Sequence, residues 1–484
     1  MLTETVWRGL GGDPALLESL AVEGRDAWLG GPFAVDELAV GSVAAALLAA
    51  VELAEARGVG RPAIGLSAEN VALSFRSERH LLVGGRPAWA GFAALSRFVR
   101  CADGGWARTH GSYPHHAAAL GRALAIEVGG DQHRAAVELE HAARSLTALE
   151  LEEAVIAARG CAAALRTPSE WASHPAGRAV AGTPLVTVDR ELARSAGRGL
   201  PPLSDAARPC RGVRVLDLTR VIAGPVAGRT LAALGAEVLR LDPPQLPEIP
   251  EQHLDTGAGK RSALLDLADV ERREALLAGA DIVLVAYRPG ALARFGLDGP
   301  SLAQRHPHLV QASLSAWGSE GPWADRRGFD SLVQVASGIA AACAAADGTP
   351  GVLPAQALDH ASGHLMAAAA LRALAARARG EPFAPAHLAL ARTARELLEA
   401  PSPDSAATSA TGAADPDRHR VTFGEVSPIA PPGTLDGVPL RWAHGPRPFG
   451  GDPPVWRDES SSQKVTTVPT AGCTNASGSA RASS

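Results

Sequence analysis

The chain has 484 residues, more than one ordinary core accommodates, so two domains are expected. Hydrophobic residues make up 46% and charged residues 20%, a globular balance, and a formal net charge of -5 offers nucleic acid no global basic field. Cys101, Cys161, Cys210, Cys343 and Cys473 are scattered without CxxC spacing, which argues against a disulfide framework and against a zinc site, and no metal is expected. Residues 1–20 lack the basic-then-apolar pattern of a signal peptide. The longest apolar run, 38–54, is short for a bilayer span and reads as a buried helix, so a cytoplasmic protein without a membrane partner is expected.

Residues 1–205 read as a helix-rich region. Segments 40–57 and 136–166 have helical composition, while 71–75, 80–83 and 98–108 look like strands and turns. Pro201, Pro202 and Pro209 mark a linker. A different pattern begins at Gly212. An apolar strand at 213–218, a turn at Ala223-Gly224-Pro225, a helix over 226–234 ended by Gly235 and a strand at 236–241 form a βαβ unit. Further strands are expected at 263–267, 281–286 and 309–314, and helices at 330–345 and 360–379. This alternation argues for an α/β fold with an open, largely parallel sheet, whose ligands sit in the loops beyond the carboxyl ends of the strands. Candidate loops are 223–225, 287–290 and 315–318. Residues 206–395 thus form one large domain. The stretch 396–456 combines a flexible linker at 401–415 with a Pro- and Gly-rich segment expected to lie extended against the body through Phe423, Leu440, Trp442 and Trp456. Residues 457–484 have the composition of a disordered tail.

Familiar nucleotide motifs fail. The run Gly257-Ala258-Gly259-Lys260-Arg261 lacks the earlier glycine and the Ser or Thr of a phosphate loop, and neither a Gly-x-Gly-x-x-Gly turn nor a Gly-x-Ser-x-Gly elbow is present. His110, His115 and His116 cluster around Tyr113 without metal-ligand spacing and read as structural. Asp359 precedes a long apolar helix. It suits an N-cap and, equally, a nucleophile kept ionised by the helix dipole. Asp330 stands in a similar position before another helix and reads as a cap.

Four blocks in order carry a resemblance. VRVLDLTRVIAGPVAGRTLAALGAEVLRLD with GKRSALLDL (213–267), DIVLVAYRPGALARFGL (281–297), GFDSLVQVASG (328–338) and QALDHASGHLMAAAAL (356–371) resemble the class III coenzyme A transferases of the CaiB/BaiF type. That family includes formyl-CoA transferases and α-methylacyl-CoA racemases. The resemblance implies a Rossmann-like large domain, a smaller α+β domain, a homodimer, and acyl-CoA and carboxylic acid substrates. It also implies that Asp359 is the nucleophile, passing through a mixed anhydride and an aspartyl-CoA thioester. By family position Ile222 and Ala223 line the coenzyme A channel, Leu265 and Tyr287 contact adenine, and Arg294 and Arg327 bind phosphate, with Lys260 and Arg261 as further candidates. The 223–225 turn and Gly338 are candidates for close backbone approach to an oxyanion.

Racemisation requires a proton acceptor on each face of the α-carbon, and racemase relatives place His before the Asp of the GFD block. Phe329 stands there and cannot take a proton, so transfer is the favoured reaction, with racemisation or a turnover-free coenzyme A-binding scaffold as alternatives. The order of the chain departs from the family. FVRCADGGWARTHGSYPHHAAAL (98–120) and SEWASHPAGRAVAGTPLV (169–186) resemble the small domain placed first, either permuted or left from a partial duplication, and no glycine-rich loop covers the site.

Overall fold

Six short, largely buried segments lie parallel in one sheet because the helical crossovers between them cover both faces. In the computed structural model, which describes residues 2–24, 27–195, 198–402 and 414–457, the spatial order is Lys260–Leu264, Glu237–Asp242, Arg214–Leu218, Ile282–Val285, Val310–Ser315, Ala386–Ala389. Numbered along the chain this is 3-2-1-4-5-6, the order of dinucleotide-binding sheets. The short strand Thr187–Val188 adds an antiparallel edge next to Ala386–Ala389, so the first 205 residues contribute to the large sheet. The expected mixed α/β architecture with a largely parallel sheet is thus present.

The sheet register explains several fine differences from the sequence reading. The third strand runs over Lys260–Leu264 rather than 263–267, since Val238 to Asp242 pair with Lys260 to Leu264. That pairing buries Lys260, whose Nζ donates to Asp217 Oδ2 and to the Pro225 carbonyl, both at 2.7 Å. Burial pushes the Lys260 ammonium down to about 8, against the pull of Asp217. Arg261 ties the C-terminal segment to the sheet, donating to the carbonyls of Val455 and Pro453. Neither basic residue is available for a phosphate.

Outside the sheet, capping decides what composition left ambiguous. Residues 71–74 belong to a helix, Ala68–Ser74, with Phe75 as its C-cap, because the Ser67 hydroxyl accepts the Asn70 N–H. The segment 136–166 is two helices, Gln132–Ala143 and Ala148–Ala157, and a strand, Ala162–Ala164. Thr147 and Glu150 form the capping box that restarts the chain as a helix. The expected helix at 330–345 breaks into Asp330–Ala336 and Ile339–Ala342 at Gly338, which adopts φ 90.

The two longest helices, Val35–Ala56 and Ala357–Ala378, are Ala-rich and pack against each other in the main core. Val35–Ala56 is long and apolar enough to cross a membrane by length and composition, yet 89% of its most apolar window is buried here. Ala357–Ala378 also crosses Ala223–Ala233 closely. A Cβ at Gly363 would lie 2.4 Å from the Ala223 carbonyl oxygen, so the crossing requires glycine there. A second core is built within residues 95–164, and a third covers the other face of the sheet through Leu216, Leu239, Leu276 and Val283. The linker at 201–211 is held by Arg57, whose guanidinium donates to the carbonyls of Pro201, Pro209 and Arg211. Trp442 and Trp456 hold the C-terminal segment against the body through the carbonyls of Arg229 and Leu276. The expectations for 403–413 and for the chain beyond 457 fall outside the described residues.

Candidate active site

In a sheet of this order the chain reverses direction between the first and fourth strands, and a crevice opens beyond their carboxyl ends. A cavity of about 410 Å³ occupies that place. Arg220, Val221, Ala223 and Gly224 follow the first strand into it, and Ala286, Tyr287 and Arg288 follow the fourth. Val221 is a β-branched residue with φ 73, a strained backbone held by an N–H bond to Glu248 Oε2 at 3.0 Å. Glu248 also accepts the Tyr113 hydroxyl and pairs with Arg240 at 2.9 Å. The same carboxylate therefore fixes the first loop and a residue from the N-terminal part of the chain.

Asp359 lies in the cavity wall, 5% exposed. It is not the N-cap. The helix starts at Ala357, which places Asp359 in the first turn. The cap comes from elsewhere in the chain: the N–H groups of Leu358 and Asp359 donate to Asp330 Oδ2 at 2.9 and 3.0 Å. Asp330 thus caps the helix that carries Asp359, rather than its own. Its other oxygen accepts the Gln334 amide. Burial pushes Asp330 up to about 6, outweighing these donors. Asp359 is raised well above the ordinary carboxylate range by burial, then by the negative charges of Asp330 and Glu78. The expectation that the helix terminus keeps Asp359 ionised is corrected here, because burial and then the Asp330 and Glu78 carboxylates favour its protonated form.

Ala223, Tyr287, Arg294 and Arg327 line the cavity with Asp359, as do several residues not singled out from sequence. Ile222 and Leu265 do not. Ile222 is buried just before the Ala223–Ala233 helix, and Leu265 packs in the third core. The register shift of the third strand carries Leu265 inward. Gly338 does not line the cavity, and a Cβ there would lie 2.2 Å from the Pro168 nitrogen, so its glycine serves chain packing.

The arginines of the wall differ in what they are free to do. Arg326 is neutralised by Glu152 at 3.2 Å and Glu153 at 2.8 Å, and Arg220 donates to the Pro247 carbonyl at 2.8 Å across the Tyr113 ring. Arg327 donates to the Arg159 carbonyl. Arg288 and Arg294 have no carboxylate partner among the described residues, and such cations in a cavity wall suit a phosphate. Tyr113, His115 and His116 also form the wall. Burial holds His116 at about 2 and His110 at about 3, so both rings are neutral. His110 stacks on Phe329 with centroids 3.6 Å apart. Among the described residues no group of three or more His, Cys, Asp or Glu side chains is placed to hold a metal ion.

Comparisons with known proteins find a likeness to one family. The sequence model of CoA-transferase family III matches residues 210–427. A probable fatty acyl-CoA transferase, Rv3272, of Mycobacterium tuberculosis is 37% identical over 194 residues, 37% of this chain and 49% of that protein. An acyl-CoA transferase of Gibberella moniliformis is 33% identical over 281 residues, 54% of this chain and 49% of that protein. The chain spans about half the length of these curated relatives. Among solved structures, that of Rv3272 is 37% identical, covering 39% of this chain and 57% of that chain with a TM-score of 0.37. A CAIB/BAIF family protein from Brucella suis is 26% identical, covering 46% and 66%, with a TM-score of 0.36. The similarity to CoA-transferase family III thus lies in residues 210–427, which hold the six parallel strands of the large sheet.

Proposed function

We propose that the chain transfers coenzyme A from an acyl-CoA thioester to a carboxylic acid, with Asp359 as nucleophile. The observation that carries this reading is a buried carboxylate in the wall of the crevice at the sheet's reversal point, with Arg288 and Arg294 on the same wall and without a carboxylate partner among the described residues. Low solvation makes an ionised carboxylate a better nucleophile, and the arginines suit the phosphates of a polyanionic substrate.

In the proposed reaction the Asp359 carboxylate adds to the donor's thioester carbonyl and the C–S bond breaks, leaving a mixed anhydride and the thiolate of coenzyme A. The thiolate adds to the aspartyl carbonyl and expels the donor carboxylate, giving an aspartyl thioester. The acceptor carboxylate then displaces the thiolate to form a second anhydride. Attack of the thiolate on the acceptor's acyl carbon restores Asp359 and releases the new thioester. Only an ionised Asp359 can begin this sequence. Phe329, stacked between His110 and the cavity, offers no proton acceptor, which favours transfer over racemisation. A homodimer and a cytoplasmic location are part of the same proposal.

The test is hydroxylamine trapping during incubation with acyl-CoA thioesters, followed by peptide mass spectrometry. A hydroxamate on the peptide bearing Asp359 is the expected result, with transfer reduced roughly ten-thousandfold in Asp359→Asn. Undiminished transfer by a folded Asp359→Asn protein would overturn the assignment.

A further inference from the structure

The wall of the same cavity holds a second potential nucleophile that the transfer mechanism does not use. Ser315 ends the fifth strand and lines the cavity. Its Oγ lies 3.1 Å from His387 Nε2 on the neighbouring sixth strand. His387 Nδ1 lies 2.9 Å from Ser313 Oγ, and Ser313 Oγ lies 3.2 Å from the Ala386 carbonyl oxygen. The direction of this chain follows from its ends. The Ala386 carbonyl accepts only, and when the Ser313 hydroxyl donates to it His387 Nδ1–H donates to Ser313. In that tautomer Nε2 is unprotonated and accepts the Ser315 hydroxyl. The Gly318 N–H donates to Ser315 Oγ at 3.1 Å, which holds the oxygen in place. Burial keeps His387 down at about 4, so its ring is neutral at physiological pH and one ring nitrogen carries a free lone pair. Nucleophile, base and orienting group thus stand within hydrogen-bond reach of one another.

We propose that Ser315 and His387 form a nucleophile–base pair that hydrolyses acyl thioesters and activated esters admitted to this cavity. Ser315 Oγ bonds to the acyl carbon as its proton passes to His387 Nε2. The C–S bond breaks, and the leaving thiolate takes that proton. Water then gives a proton to Nε2 as its oxygen bonds to the acyl carbon, the C–Oγ bond breaks, and Ser315 recovers the proton. The products are a thiol and a carboxylic acid, with water as the co-reactant. For an acyl-CoA substrate the inference rests on the function proposed above; for a small ester it does not.

Two probes separate those dependencies: acetyl-CoA without acceptor acid, and p-nitrophenyl acetate, which needs no coenzyme A site. The purified full-length chain is incubated with each, quenched in acid, digested and mapped, and product release is followed in parallel for wild type, Ser315→Ala, Ser315→Cys and His387→Gln. The pair is upheld by an acetyl group on Ser315, by at least tenfold slower p-nitrophenolate release in Ser315→Ala and His387→Gln, and by an acetyl thioester on Cys in Ser315→Cys. Acetylation of Ser315 by p-nitrophenyl acetate alone upholds the pair and counts against acyl-CoA as an occupant of the cavity. Unmodified Ser315 with both probes, together with wild-type release rates in Ser315→Ala, overturns it. If Ser315→Ala does not fold, an unmodified Cys in a folded Ser315→Cys chain overturns it equally.

Discussion

Replacing Asp330 by Asn separates its two roles, as acceptor for the Asp359 helix and as a buried negative charge. The amide oxygen of Asn can still accept the Leu358 and Asp359 N–H groups, which Asp330 Oδ2 now accepts at 2.9 and 3.0 Å. The amide nitrogen would then face the Gln334 amide nitrogen, whose own oxygen already accepts the Leu353 N–H at 2.8 Å. One misplaced donor costs about 1–3 kcal/mol. Against this stands the ionisation of Asp330. Its folded pKa of about 6 lies above the ordinary carboxylate value of 3.8, so the folded state binds more protons than the unfolded state between these limits. Stability from this group is therefore greatest below the unfolded value and falls as pH rises through 6, by roughly 3 kcal/mol in all. The Asn variant lacks that fall. Urea denaturation from pH 4 to pH 8 should show a shallower decline for Asp330→Asn than for wild type across that window, with net stability near pH 7 within about 2 kcal/mol of wild type. The acid limb of the transfer rate should move to lower pH, because a negative neighbour of Asp359 is gone. Identical stability–pH slopes in the two proteins would refute the carboxylate-pair account, and an unmoved acid limb would refute the coupling to Asp359.

Other outcomes follow from the wall and the packing. Arg288→Ala and Arg294→Ala should each raise the KM for acyl-CoA by about tenfold with little change in kcat, and added salt should shrink the difference, whereas Arg326→Ala should act mainly on stability since its charge is matched by Glu152 and Glu153. Gly338→Ala should lower the melting temperature through a loss of at least about 2 kcal/mol, because its Cβ would meet the Thr167–Pro168 backbone at a φ of 90. Lys260→Met, by contrast with a phosphate-binding lysine, should leave the KM for acyl-CoA unaltered while destabilising the chain by about 3–5 kcal/mol, since Asp217 would be buried without its partner.

Much of the large domain was legible in the sequence by itself. The apolar runs at 213–218, 236–241, 281–286 and 309–314 are short, bounded by turn residues and separated by helical stretches, and such a run has few alternatives to a buried parallel strand. The ordered family blocks drew attention to Asp359, and the structure sets Asp359 in the cavity wall beside Ala223, Tyr287, Arg294 and Arg327. Local pattern was weaker where a cap decided the outcome. Residues 71–75 have a strand's composition, yet a single hydroxyl at Ser67 starts a helix there.

Tertiary structure alone decided the electrostatics and the composition of the site. No spacing along the chain shows that Asp330 caps the helix of Asp359, that Glu152 neutralises Arg326 but not Arg288, or that Tyr113, His115 and His116 join the wall from another part of the chain. The register of the third strand likewise turned Leu265 and Lys260 inward. Hydrophobic periodicity is a property of neighbours along the chain, so a sequence displays it directly. Desolvation and charge pairing depend on which atoms meet across large separations, and only the folded chain specifies those distances.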